Sequence, residues 1–217
     1  MLFLNMIEQL IEAGRQIVAA KMVKGWGGNL SGRYQDQIAI TRSGADLGQL
    51  TAEEFVLVYP DASPQELRLH QPRPSSEVAM HLSVYAVRPE TQAIIHVHPA
   101  KAISLGILGY DLPALTPDFY LHLGIEVPLL PYVTPTTDEL GTAVAELLQT
   151  KVAVLLQNHG VLVIGNSVSQ ALLRLSLLEE AAGIYLDALA VGEPRILSAQ
   201  DQEDLDRVTG GKYKMDR

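Results

Sequence analysis

The chain has 217 residues, 47% of them apolar and 19% charged, the make-up of one ordinary globular domain that can bury a core without disulfides or structural metals. Asp and Glu number 25 against 16 Lys and Arg, and the formal net charge of −9 excludes a surface built to neutralise a nucleic-acid backbone. With no cysteine in the sequence, disulfide frameworks, thiolate metal sites and cysteine nucleophiles are excluded, so any metal must be held by His, Asp or Glu.

The N-terminal stretch begins apolar but acquires Glu8, Glu12 and Arg15 too early for a secretory leader. Ile7, Leu10, Ile11, Gly14, Ile17 and Val18 recur at helical spacing instead, with Gly25 as a stop. Residues 30–34 and 37–41 flank the polar pair Gln35-Asp36 as a hairpin, Thr51 and Glu54 have capping-box spacing, and 55–59 reads as a strand. The stretch 61–74 is polar and carries three prolines, a loop, after which Ser75 is expected to cap a helix that Pro89 ends. A strand over 93–98, a helix over 100–108 and a proline-rich passage over 113–135 follow, the last with a strand around 127–130. Thr136 or Thr137 then caps a helix to 149. Apolar strands at 152–156 and 161–164 are joined by the polar segment Gln157-Asn158-His159-Gly160, and a long helix over 167–191 precedes a charged tail. No apolar run reaches the roughly 18 residues of a membrane span. The pattern predicts a cytoplasmic protein with neither membrane nor nucleic-acid partner. Strands interleaved with helices, without repeats or a linker, predict one α/β domain over 1–217, a sandwich of helices on a mixed sheet.

His96 and His98 carry the first chemical signal. Alternate residues of a strand face the same side, so the two imidazoles project together from an otherwise apolar strand, the usual geometry for sharing a divalent cation. His159, at the end of another apolar strand and beside the permissive Gly160, is the third ligand candidate. Three neutral nitrogens would leave a cation its charge and an open position for substrate. Glu77 is the fourth candidate, although a carboxylate in the first turn of a helix is also explained by the helix dipole. His70, His81 and His122 lack a spacing partner, and His81 reads as a satisfied helix or core histidine. Three segments have the make-up of anion sites: Gly25-Trp26-Gly27-Gly28-Asn29, Thr41-Arg42-Ser43-Gly44 and Ser75-Ser76. Each is weak alone and gains weight only if the fold unites them.

Five motifs in order resemble those of the class II aldolase/adducin family: Gly27-Gly28-Asn29-Leu30-Ser31, Ile40-Thr41-Arg42-Ser43-Gly44, Ser75-Ser76-Glu77, His96-Val97-His98 and Asn158-His159-Gly160. The resemblance runs from about residue 7 to about residue 194. It implies a three-layer αβα sandwich around a largely antiparallel central sheet, assembled as a homotetramer with active sites at subunit interfaces. It further implies that His96, His98 and His159 hold a catalytic Zn²⁺, with Mn²⁺ or Co²⁺ as alternatives, that Glu77 is the acid/base, and that Asn29, Ser43, Gly44, Ser75 and Ser76 bind substrate phosphate. The reaction implied is cleavage of a ketose or deoxyketose 1-phosphate, such as L-fuculose 1-phosphate, through a zinc-bound enediolate to dihydroxyacetone phosphate and a small aldehyde. Family aldolases also use a tyrosine of a neighbouring subunit, for which Tyr120 and the C-terminal Tyr213 are the candidates here. Trp26, where fuculose-phosphate enzymes carry a small hydroxyl residue, and Arg42 depart from the pattern. The same site would serve a 4-epimerase, a methylthioribulose-1-phosphate dehydratase or a decarboxylase, and a non-catalytic adducin-like module would be marked by lost ligands.

Overall fold

The computed structural model describes residues 2–67 and 69–213. Helix α1 (Leu2–Ala19) buries Ile7, Leu10, Ala13 and Ile17 along one stripe and leaves Glu8, Glu12 and Arg15 in water. Strands β1 (Asn29–Tyr34) and β2 (Gln37–Thr41) form the expected hairpin. Two 3-10 turns lead to β3 (Phe55–Val58). The expected capping box at Thr51 does not form: its side chain caps nothing, the chain enters β3 after a single turn, and Glu54 is taken by Arg42. The polar loop holds one helical turn, α2 (Pro64–Leu67).

Helix α3 (Val78–Val87) begins later than a Ser75 cap would place it. The Glu77 N–H donates to Ser75 Oγ (3.2 Å) and the Val78 N–H to the Ser75 carbonyl (3.1 Å), a turn that delivers Glu77 to the N-cap position. Then follow β4 (Ala93–Val97) and α4 (Ala100–Ile107). The proline-rich passage contains β5 (Leu112–Pro113), the unexpected helix α5 (Pro117–Leu123), β6 (Glu126–Val127) and β7 (Leu129–Leu130). Thr116 caps α5 with proline at the first helical position, a start signal obscured by the surrounding prolines. The single strand expected around 127–130 is divided at Pro128, which has no N–H to continue a ladder; β6 pairs with β5 and β7 with the main sheet.

Thr137 caps α6 (Asp138–Leu148), and β8 (Ala153–Leu156), β9 (Gly160–Gly165) and α7 (Val168–Leu189) complete the predicted order. The charged tail is itself a helix, α8 (Ala199–Val208), started by a reciprocal capping box between Ser198 and Asp201, with Leu205 packed toward the core.

The main sheet has the order β3-β2-β1-β4-β9-β8-β7, antiparallel except for the β7–β8 pair. Helices α1, α4 and α7 pack on one side, and α3 with α6 on the other, giving three layers around one cluster of buried apolar residues. No described helix is long and apolar enough to cross a membrane.

At the β8–β9 turn the chain passes so close to β4 that a Cβ on Gly160 would collide with the Val97 carbonyl oxygen and the His98 ring. Gly160→Ala must push the strands apart, at about 1–3 kcal/mol for an overpacked site. Thermal melting should register this as a fall in Tm of roughly 2–4 °C per kcal/mol; an unchanged Tm would contradict the close approach.

Candidate metal centre

His96, one residue before the end of strand β4, faces the α3 side of the sheet, and His98 follows just beyond the strand. His159 sits in the β8–β9 turn, aimed by Asn158 in the left-handed conformation (φ +59°), which asparagine tolerates better than most residues. Glu77 arrives from the opposite layer at the start of α3. One ligand atom from each of these four residues lies within 4.8 Å of all the others. His96 Nε2 is 3.0 Å from both Glu77 Oε2 and His98 Nε2, and His159 Nε2 is 3.3 Å from Glu77 Oε1. His96 Nδ1–H donates to the Val161 carbonyl (2.9 Å), leaving the Nε2 lone pair turned to the cluster, as second partners of ligating histidines do.

Burial would push the Glu77 carboxyl upward, yet the neighbouring His96 and His159 and a hydrogen bond from Asn29 hold it well below the usual carboxylate range. His98 and His159 are lowered to about 4, by burial first and by the adjacent His96 second. Neutral imidazoles beside an ionised carboxylate are the ligating forms, and they prevail at neutral pH. Glu77 Oε1 and His159 Nδ1 are buried without a hydrogen-bond partner. A bare carboxylate oxygen facing imidazole nitrogens is costly unless a cation shares it, so the donor set fits a divalent ion.

The fold joins two of the three predicted anion segments directly and sets the third, the glycine loop, against the histidine strand. The Ser43 N–H donates to the Arg73 carbonyl and the Ser75 N–H to the Thr41 carbonyl, each at 2.9 Å, which seals the Thr41–Gly44 turn against the Ser75-Ser76 segment. Gly28 (φ +79°) lies against β4, where a Cβ would stand 2.7 Å from the His96 carbonyl oxygen, so the glycine loop touches the strand that carries the ligands. Ser43, Gly44 and Ser76 are exposed and Ser75 is buried. Ser75 and Ser76 line a cavity of about 340 Å³ with Arg73 and with Thr136, which the sequence marks only as a possible helix cap. Thr136 has φ +66°, a strained conformation for a β-branched residue and the one local mark of its position. Asn29, expected at the phosphate, turns its side chain to Glu77 (Nδ2 to Oε2, 2.9 Å) and to His81.

Arg42 is held by Glu54 in a two-point ion pair (Nε to Oε2 2.7 Å, Nη2 to Oε1 3.1 Å), and Trp26 stands 77% exposed. Tyr120 is buried on α5 with its hydroxyl donating to Asp206 (3.0 Å), and Tyr213 lies edge-on to His122. His81 is the functional-site neighbour the sequence reading passed over: it is fully buried, adjoins Asn29, and stands four residues from Glu77 on the same stripe of α3.

Residues 8–186 match the model of the class II aldolase and adducin N-terminal domain family. A 5-deoxy-D-ribulose 1-phosphate aldolase of Bacillus thuringiensis serovar kurstaki is 33% identical over 202 residues, 91% of this chain and 92% of that one. The L-fuculose phosphate aldolase of Escherichia coli K12 is 31% identical over 190 residues, 88% of this chain and 86% of that one. Among solved structures, an L-fuculose 1-phosphate aldolase superposes with a TM-score of 0.84 at 31% identity, covering 95% of this chain and 96% of that one.

The histidines make the metal-free protein acid-sensitive. His98 and His159 titrate near 4 and His81 near 3 in the fold, against an ordinary 6.5, so the unfolded chain binds more protons over that window. Stability should therefore be full above about pH 6.5 and fall as the pH drops toward 4, and Glu77, whose folded pKa is also depressed, adds a loss at lower pH in the same direction. Denaturant melts of chelator-treated protein at about pH 7 and about pH 4.5 test this, and equal stabilities would contradict the buried neutral imidazoles.

Proposed function

The chain belongs to the class II aldolase and adducin family, and on that footing we propose that it is a divalent-metal-dependent aldolase cleaving a ketose or deoxyketose 1-phosphate, such as L-fuculose 1-phosphate, into dihydroxyacetone phosphate and a small aldehyde. The observation that carries the reading is the meeting of three imidazoles with one ionised carboxylate beside the cavity that Ser75 and Ser76 line. Held by His96, His98 and His159, a zinc ion, with manganese or cobalt as alternatives, would polarise the substrate carbonyl and stabilise the negative charge developing as the carbon–carbon bond breaks.

The carbon freed by that cleavage must gain a proton and the departing aldehyde's hydroxyl must lose one. Glu77 serves the first transfer: it is ionised, buried, and has one oxygen without a hydrogen bond. The hydroxyls of Ser43, Ser75 and Ser76 and the backbone N–H groups of Gly44 and Ser76 receive the phosphate at the turn and helix start, and Asn29, at the end of the glycine loop, borders the site through Glu77. The second transfer falls to a tyrosine of a neighbouring subunit in a cytoplasmic homotetramer with sites at subunit interfaces. Tyr120 is buried with its hydroxyl on Asp206, so Tyr213, half-buried near the chain's end, is the better placed of the two.

Coupled measurement of dihydroxyacetone phosphate release from a panel of ketose 1-phosphates tests the reading. Release should vanish on chelation and drop by about 10²- to 10⁴-fold in Glu77→Gln, the usual contribution of a general acid/base. Unchanged turnover in that variant removes Glu77 from the mechanism. Replacing Ser75 and Ser76 together by Ala should weaken phosphorylated substrates far more than their unphosphorylated analogues, and equal losses would sink the phosphate assignment.

A further inference from the structure

Behind Glu77, away from the histidines, runs an unbroken row of buried polar side chains. Asn29 and Ser31 share a face of β1, and Glu77, His81 and Tyr85 share a stripe of α3 at intervals of four. The two sets interleave like teeth. Glu77 Oε2 meets Asn29 Nδ2 at 2.9 Å, Asn29 Oδ1 meets His81 Nε2 at 2.6 Å, His81 Nδ1 meets Ser31 Oγ at 2.7 Å, and Ser31 Oγ meets Tyr85 Oη at 2.9 Å. Every member is buried. The far end is tethered by Arg33, which donates to the Tyr85 carbonyl (3.0 Å) and lies 4.8 Å over its ring.

Only one arrangement of protons satisfies this row. An ionised carboxylate can only accept, so Asn29 must present its NH₂ to Glu77 and its carbonyl oxygen to His81. That oxygen also only accepts, so the His81 N–H sits on Nε2. Burial keeps His81 neutral, lowered to about 3, which leaves Nδ1 a bare acceptor. Ser31 then donates to Nδ1 and accepts from the Tyr85 hydroxyl. The four groups behind Glu77 all point their hydrogens toward it, and turning any one of them would oppose two acceptors or two donors where no water can intervene. Glu77 Oε2 is thereby engaged by Asn29 and His96, whereas Oε1 keeps no hydrogen bond.

We propose that Ser31, His81 and Tyr85 are positioning residues acting through Asn29: they fix the direction of its amide and so hold Glu77 with Oε2 anchored and Oε1 left to exchange the proton. The catalytic consequence rests on the aldolase reading above; the proton arrangement does not.

The test uses zinc-loaded protein and two independent readouts. In ¹⁵N-histidine NMR spectra, His81 is expected as a single neutral tautomer with its proton on Nε2 across neutral pH; a proton on Nδ1, or a mixture, overturns the row. In kinetics, His81→Phe should lower kcat by about 10- to 100-fold, the cost usual for loss of an outer partner, with metal content retained and KM within about twofold. Gln places its amide nitrogen where Nε2 stands and Asn where Nδ1 stands, so His81→Gln should recover most of the loss and His81→Asn little. Equal recovery by both, or a His81→Phe enzyme as fast as the parent, overturns the positioning role. A parent protein that cleaves no ketose phosphate would sink the aldolase reading alone, and the tautomer measurement would then decide the row by itself.

Discussion

A carboxylate 7% exposed to solvent normally takes up a proton, because burial penalises its charge. Glu77 keeps its charge because its neighbours favour it: the imidazoles of His96 and His159 on one side, the donating amide of Asn29 on the other. Withdraw those partners and the group would turn neutral or swing to solvent. The imidazoles depend on the carboxylate in turn, since His96 and His98 bring their Nε2 atoms within 3.0 Å of each other and need a shared positive charge or proton between them. The cluster is therefore stable as a set, and the fold must deliver all four groups at once.

Strand register achieves most of that delivery. Asn29 pairs with His96 across β1 and β4, and Leu162 pairs with His96 across β9, so the ligand strand is fixed on both sides. A slip of one residue would turn His96 to the layer of α1 and α7 and place Val97 toward Glu77. Two glycines make the remaining approach possible, Gly28 against the His96 carbonyl and Gly160 against Val97. Both adjoin members of the polar cluster, Gly28 beside Asn29 and Gly160 beside His159, so the residues that let the backbones close are chain neighbours of those they bring together.

Periodicity and residue type pointed to the histidine cluster because a His-x-His pair at the end of an apolar strand has few structural uses, and alternation predicts both rings on one side. The sheet strands and the long helices were legible for the same reason: each buries a regular stripe. Helices α5 and α8 were not, since α5 lies among prolines and α8 carries its apolar residues in a mostly charged segment, with only the Thr116 and Ser198 caps to announce them. His81 was read as a satisfied core histidine, which is true of its burial. Its partners, however, come from β1, fifty residues away, and no local pattern joins Ser31 to His81. Arg73 and Thr136 escaped for a similar reason, being united only where their loops line one cavity.

The sequence Ser75-Ser76-Glu77 sets a problem at the start of α3. A helix N-terminus favours any anion, whether substrate phosphate or its own carboxylate, and a glutamate there ordinarily folds back onto the first-turn amides. Glu77 makes no such side-chain cap. Its carboxylate is drawn instead toward β1 and β4 by Asn29 and His96, away from the first-turn amides. The row behind Asn29 thus does two things with one set of contacts: it keeps the carboxylate with the metal ligands and leaves the helix start to the serines. An apolar interface between β1 and α3 would pack as well, but it would supply no donor to pull Glu77 off its own helix, and the carboxylate would compete with any incoming anion for the same amides.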